Sequence, residues 1–281
     1  MKTRTSLFRK QIALPQDHGS WVFILSPLLI GLFAGERFSP ASVNLIIAAM
    51  VTFLLRQPVS MAVKAYAGRR PRGDLAVARF WILVYGTIIL LALAGLIAEG
   101  FVYILYLAIP GIPVFIWHLY LVSKRAERRQ AGVEILATGA LSLAAPAAYW
   151  IGQGEYEPLG WALWLLTWMQ SAASIVYAYL RLEQRTLPVK GEQAEGAGRS
   201  ELWQMGKRAF QYTSFNLAST LALGWSAWLP RWIFVPYLLQ WLETIWGITQ
   251  PAWGWKPTAI GIRQLIVSTL FTILFIICWR L

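Results

Sequence analysis

Gln170, Ser174, Tyr177 and Arg181 recur at i, i+4, i+7 and i+11 within an otherwise apolar segment. That spacing puts all four on one stripe of an α-helix. Polar groups inside lipid are costly, so such a stripe either lines a cytoplasm-facing cavity or hydrogen-bonds to neighbouring helices. Other ionisable or aromatic residues stand near the ends of apolar runs: His18, Trp21, Arg56, Lys64, His118, Glu134, Glu243 and Arg263. Guanidinium and ammonium groups gathered at a membrane boundary suit an anionic group, which they hold by charge-assisted hydrogen bonds. Taken singly, the same arginines snorkel to lipid phosphates. These twelve residues are the candidates for binding an anionic group or lipid; the sequence assigns none of them a catalytic role.

Other chemistry finds little support. Neither His18 nor His118 has an HxxxH or HxxE partner on its own segment, the kind of spacing zinc sites commonly use. Both read as capping or interfacial groups, and no metal is expected. There is no P-loop, no Gly-rich dinucleotide motif, no GxSxG and no CxxCH, so no enzyme signature of the motif kind is present. Cys278 is the single cysteine, which excludes an intramolecular disulfide framework.

The elements that must position these residues follow from composition. The chain of 281 residues is 57% hydrophobic and 14% charged, whereas a soluble domain carries about 25% charged residues. Segments long enough to cross about 30 Å of hydrocarbon need roughly 20 residues each. Nine are read, over 20–36, 41–58, 79–98, 101–122, 132–152, 159–181, 206–227, 231–248 and 259–279. Pro27, Pro110, Pro113, Pro146 and Pro236 lie inside them, and prolines are tolerated in membrane helices. Pro110 and Pro113 are expected to kink the fourth span near mid-membrane. The fold class is therefore all-α, a single nine-helix transmembrane domain, with a flexible cytoplasmic loop over 183–204.

Lys and Arg orient it. With the N-terminus inside, only Arg37, Arg231 and Arg280 of the 25 basic residues fall outside, which leaves 22 on the inner side. The C-terminus is then outside, in a multi-pass protein of the cytoplasmic (inner) membrane. The net charge of +12 becomes topology plus attraction to anionic headgroups, and no nucleic-acid partner is expected. The first run lacks a small-residue cleavage site and is read as a span rather than a signal peptide.

The stretch "LPQDHGSWVFILSPLLIGL" carries Pro15, His18, Gly19, Trp21, Pro27 and Gly31, and it resembles the opening of the YwiC-like membrane proteins. "SIVYAYLRLEQR" and "IGIRQLIVSTLFTIL" are similar to later segments of that family. More distantly, the nine spans and the loops after the second and sixth resemble the UbiA prenyltransferase superfamily. "GVEILATGALSLAAPAAYWIG" looks like its fifth helix. That resemblance implies two Asp-rich motifs that hold Mg²⁺ and a prenyl diphosphate. This chain departs there: the first position has Arg56 and Lys64, and the second keeps only Glu183. Basic groups cannot chelate Mg²⁺, although they bind an anionic headgroup directly.

Two readings of function stand open. One is a non-catalytic membrane or accessory protein on a UbiA-like bundle, within a larger membrane complex. The other is a divergent isoprenoid- or lipid-binding protein or enzyme that takes an anionic lipid without a metal site. No cofactor is expected beyond a bound isoprenoid or quinone-type lipid, and membrane lipids are the expected partners; transport is a third, weaker reading. On the second reading His18, Arg56 and Arg181 should converge on an inward-opening pocket walled by Trp21 and Tyr177.

Overall fold

The computed structural model describes residues 9–15, 18–125, 130–187 and 198–281, and of Lys10, His18 and Arg199 the backbone alone. Among the described residues every regular element is helical. The chain divides into two compact units, Met1–Trp164 and Leu165–Leu281, each described here by itself.

The first unit opens with a short helix α1 (Lys10–Ala13) and a 3-10 turn (His18–Trp21) that runs into α2 (Val22–Ala34). Helices α3 (Pro40–Tyr66) and α4 (Gly73–Ala98) follow, then a second 3-10 stretch (Val102–Leu107) and α5 (Ala108–Ser123). Next come α6 (Ala131–Leu141) and α7 (Ala144–Gln153), and α8 (Leu159–Gln184) carries the chain into the second unit. That unit continues with α9 (Arg199–Trp225), α10 (Phe234–Thr249) and α11 (Pro257–Arg280).

Among the described residues six stretches are long and apolar enough to cross a membrane: Pro40–Tyr66, Gly73–Ala98, Val102–Ser123, Ala131–Gln153, Leu159–Gln184 and Pro257–Arg280. Three expected spans fall short of that standard. Gly19–Ala34 and α10 are short. Helix α9 has the length, but Gln211, Thr213, Ser214, Asn216, Ser219 and Thr220 dilute its apolar run.

Several boundaries differ from those expected, for physical reasons. Hydropathy ends the second span near residue 58, where Arg56, Gln57 and Pro58 interrupt the apolar run. The helix continues through Pro58 to Tyr66, so Arg56 and Lys64 lie inside α3 rather than at or beyond its end. Pro58 removes one backbone donor, and the rest of the ladder carries the helix on. In the fourth span the irregularity precedes the prolines: 3-10 geometry holds through Leu107, and Pro110 falls in the first turn of α5. A proline near a helix start removes an N–H that lacks an intrahelical partner there. The fifth span breaks at Ser142–Leu143, because Pro146 cannot donate to the Ser142 carbonyl; Ala145 N–H does so instead, at 3.0 Å. Residues 199–204, expected in the loop, form the first turns of α9, and 188–197 of that loop lie outside the described residues.

Two packing devices hold the first unit. Gly31 on α2 and Gly35 just after its end, one turn apart, meet α7 backbone to backbone. A Cβ at Gly31 would stand 2.2 Å from the Ala145 carbonyl oxygen, and one at Gly152 would stand 2.6 Å from Gly35. Small residues of this kind let membrane helices approach closely enough for dispersion to replace the missing hydrophobic drive. The second device is α1, which packs Ile12, 1% exposed, against Ala62, Val77 and Ala78. Arg9 donates to Asp74 at 2.8 Å and Arg70 to the same carboxylate at 3.2 Å. Gln57 Nε2 donates to the Gln11 carbonyl at 2.9 Å, and Tyr85 OH to that of Ala13 at 3.2 Å.

Close approach makes the glycines a test of the α2–α7 contact. Gly152→Ala should lower stability in detergent by about 1–3 kcal/mol, the usual cost of overpacking, and Gly31→Ala at least as much. Gly132→Ala, on α6 with open space around it, should instead gain up to about 1 kcal/mol from helix propensity. Thermal or denaturant unfolding of the three purified variants checks the contrast.

Candidate functional site

In the second unit the α8 stripe is buried: Gln170 is 3% exposed, Ser174 7%, Tyr177 3% and Arg181 1%. Gly247 explains how α10 comes so near. A Cβ there would meet the Tyr177 hydroxyl at 2.2 Å, so only glycine admits the phenol at that level. Deeper in the unit, Tyr237 OH donates to the Leu166 carbonyl at 2.9 Å, and its ring meets Phe271 edge-on at 5.0 Å.

The stripe divides into two hydrogen-bonded layers. In the first, Gln240 Nε2 donates to the Gln170 carbonyl at 3.0 Å and to Ser174 Oγ at 3.1 Å. Gln170 Nε2 donates to Ser174 Oγ at 3.1 Å and approaches Ser268 Oγ on α11 at 3.5 Å. In the second layer Glu243 is the centre. Tyr177 OH donates to its Oε1 at 2.9 Å, and Arg263 grips it with two parallel bonds, Nε to Oε1 at 2.6 Å and Nη2 to Oε2 at 2.8 Å. A forked arginine–carboxylate pair is among the strong hydrogen-bonded contacts, with both oxygens of the carboxylate engaged.

Arg181 stands apart from that pair. Its Nη1 faces three oxygens: Gln184 Oε1 at 2.8 Å, and the Gly247 and Gln250 carbonyls at 2.6 Å each. Gln184 Nε2 also donates to the Gly247 carbonyl, at 3.0 Å. Two hydrogens shared among three acceptors clamp the end of α10 to α8. The guanidinium carbon lies 5.2 Å from the ring centres of both Trp246 and Trp255, and Arg263 lies 3.6 Å from that of Trp246. Among the described residues Arg181 meets no carboxylate, and its Nη2 is buried with no hydrogen-bond partner. The layer thus holds two guanidinium groups against one carboxylate.

The other candidates lie in the first unit. Trp21 meets Phe53 edge-on at 5.0 Å, and Arg56 lies over the same ring at 5.3 Å. Phe53 therefore joins the opening motif to Arg56. The side chain of His18 lies outside the described residues. Lys64 is in the last turn of α3, His118 in α5 and Glu134 in the first turn of α6, all half-buried. Arg69, just after α3, donates to the Val122 carbonyl near the end of α5, which places these helix ends together. Residues 170, 174, 177, 181, 243 and 263 are gathered in the second unit. Gln184, Trp246, Gly247 and Trp255 were not anticipated as partners. Gln184 extends the stripe by one turn and Gly247 follows Glu243 by four, so both carried a periodic signal, whereas Trp255 sits on a connection and carried none. No group of three or more His, Cys, Asp or Glu that could hold a metal occurs among the described residues.

Long apolar helices that pack small residues backbone to backbone and pair their buried polar groups define a multi-pass helical membrane protein. Residues 14–149 match the family model described as YwiC-like protein. A Bacillus subtilis (strain 168) protein, "Uncharacterized protein YwiC", is 22% identical over 271 residues, 92% of this chain and 94% of that one. No solved structure matches.

The forked pair yields a direct expectation. Glu243→Gln should cost about 1–3 kcal/mol, the range for losing a buried charged hydrogen bond, and toward the lower end because Arg263 is a third exposed. Gly247→Ala should destabilise further, since it drives the Tyr177 hydroxyl off Glu243. Unfolding in detergent, followed by tryptophan fluorescence, reads both.

Proposed function

We propose that the chain is a non-catalytic, nine-span protein of the cytoplasmic membrane, N-terminus inside and C-terminus outside, acting as an accessory component of the membrane. The observation that supports this most is the Glu243 layer. Its carboxylate is held by Arg263 and Tyr177 at 2.6–2.9 Å, leaving it poorly placed to take a proton from a substrate. The orientation rests on the charge split, with 22 basic residues inside and Arg37, Arg231 and Arg280 outside. Helix α2 with its 3-10 turn, α9 and α10 supply the three spans beyond the six long apolar stretches, their polar or short character being offset by packing against neighbours. A UbiA-like arrangement belongs to this proposal through the span count and loop positions alone.

A second reading is favoured by one observation, the buried and unpartnered Nη2 of Arg181. On it the protein binds an anionic lipid, and Arg56 and Lys64, inside α3, add positive charge in the first unit.

Reporter fusions test the topology. They should read outside after Glu36, Glu99, Glu155 and Trp228, and inside after Arg70, Glu127, Glu195 and Gly254. An even number of spans would overturn the orientation. Purified protein incubated with prenyl diphosphates, aromatic acceptors and Mg²⁺ should give no product, because Arg56 and Lys64 stand where carboxylates would be needed. Metal-dependent turnover would overturn the non-catalytic reading.

A further inference from the structure

The end of the second unit formed by α8, α10 and the α10–α11 connection contains two buried donors with nothing to bind. One is Arg181 Nη2, on a side chain 1% exposed; the other is Trp253 Nε1. The α10–α11 connection links the two. Arg181 Nη1 donates to the Gln250 carbonyl, three residues before Trp253, and its guanidinium lies 5.2 Å from the Trp255 ring, two residues after it. Native proteins rarely leave buried donors unmatched, and a charged donor left so is the costliest kind. Charge points the same way, since Arg181 and Arg263 share this layer with Glu243 alone. Glu243 attracts Arg181 across the layer, but its oxygens are taken by Arg263 and Tyr177, so one carboxylate faces two guanidinium groups.

Resting on the anionic-lipid reading, we propose that this neighbourhood is a binding site for a phosphate group, held by Arg181 Nη2 and Trp253 Nε1 against the indole walls of Trp246 and Trp255. Phosphate oxygens accept from both donors, and the negative charge balances the surplus guanidinium. Carbonyl oxygens already fill the Nη1 side of Arg181, so the ligand approaches from Nη2. Trp255, which stands over Arg181, is on a seven-residue connection (250–256) rather than a packed helix, so the group that must move to admit a ligand is on a loop. The phosphate belongs either to a phospholipid headgroup or to a soluble anion, and the experiment separates the two.

The test is native mass spectrometry of the full-length protein in detergent, titrated with phosphatidylglycerol, phosphatidylcholine and inorganic phosphate. Wild type should retain phosphatidylglycerol in preference to phosphatidylcholine. Trp253→Phe, which removes one donor and keeps the aromatic packing, should weaken retention about tenfold, the usual effect of losing a hydrogen bond to a charged group. Arg181→Lys should weaken it at least as much, whereas Lys256→Gln, an exposed neighbour on the same connection, should stay within about twofold. Binding of inorganic phosphate alone, with the same dependence on Trp253, would support the site and overturn the lipid reading. Selective phosphatidylglycerol retention indifferent to Trp253 and Arg181, or weakened equally by Lys256→Gln, would overturn the site and leave the lipid reading standing. Retention of neither ligand would overturn both.

Discussion

A backbone or side-chain polar group surrounded by hydrocarbon has no water to fall back on, and each one left unmatched costs several kcal/mol. The architecture is largely a set of answers to that constraint. Helices satisfy the backbone internally, which is why every regular element described is a helix. Proline changes the geometry locally at two places, a 3-10 stretch before Pro110 and a short break before Pro146, while α-helix runs on through Pro27, Pro58 and Pro113. Where side chains are polar, they are turned toward one another, as in the bonds from Gln240 to Gln170 and Ser174 and from Arg263 and Tyr177 to Glu243.

The same constraint shows in where glycine is required. Gly247 and the Gly31–Gly35–Gly152 set each stand where a side-chain carbon would collide with a neighbour below 3 Å. At Gly247 the close approach brings a phenol to a carboxylate, so packing and polar matching are one event. At the α2–α7 contact no polar gain is involved, and dispersion between backbones takes the place of hydrophobic drive.

Much of this was legible in the sequence because two signals are strongly periodic. Apolar run length located the six stretches long enough to cross a membrane, and the 3.6-residue period located the α8 stripe. Boundaries were less legible, because hydropathy records where lipid ends and not where a helix ends; α3 runs eight residues past its apolar run for that reason. The site was half legible. Residues sharing one helix face can be read from spacing, but the partners of Arg181 come from the Gly247 and Gln250 carbonyls and from Trp255 on a connection. Backbone acceptors and loop aromatics have no sequence signature. The opening motif behaves likewise: Trp21 was visible as an aromatic near a mouth, but its link to Arg56 through Phe53 depends on how α2 lies on α3.

Helix α2 contains 13 residues and α10 contains 16, or about 20 Å and about 24 Å of α-helix. Hydrocarbon in a typical bilayer is about 30 Å thick. In the proposed topology a bilayer touching these helices must dip to meet them, at a cost of fractions of a kcal/mol for each ångström of mismatch. The contact of α2 with α7 through glycine lets the short helix lean its backbone on the longer Ala131–Gln153 stretch, which shields part of its flank from lipid. The remaining deformation makes the protein responsive to bilayer thickness, so acyl-chain length becomes a variable that shifts how comfortably the chain sits in its membrane.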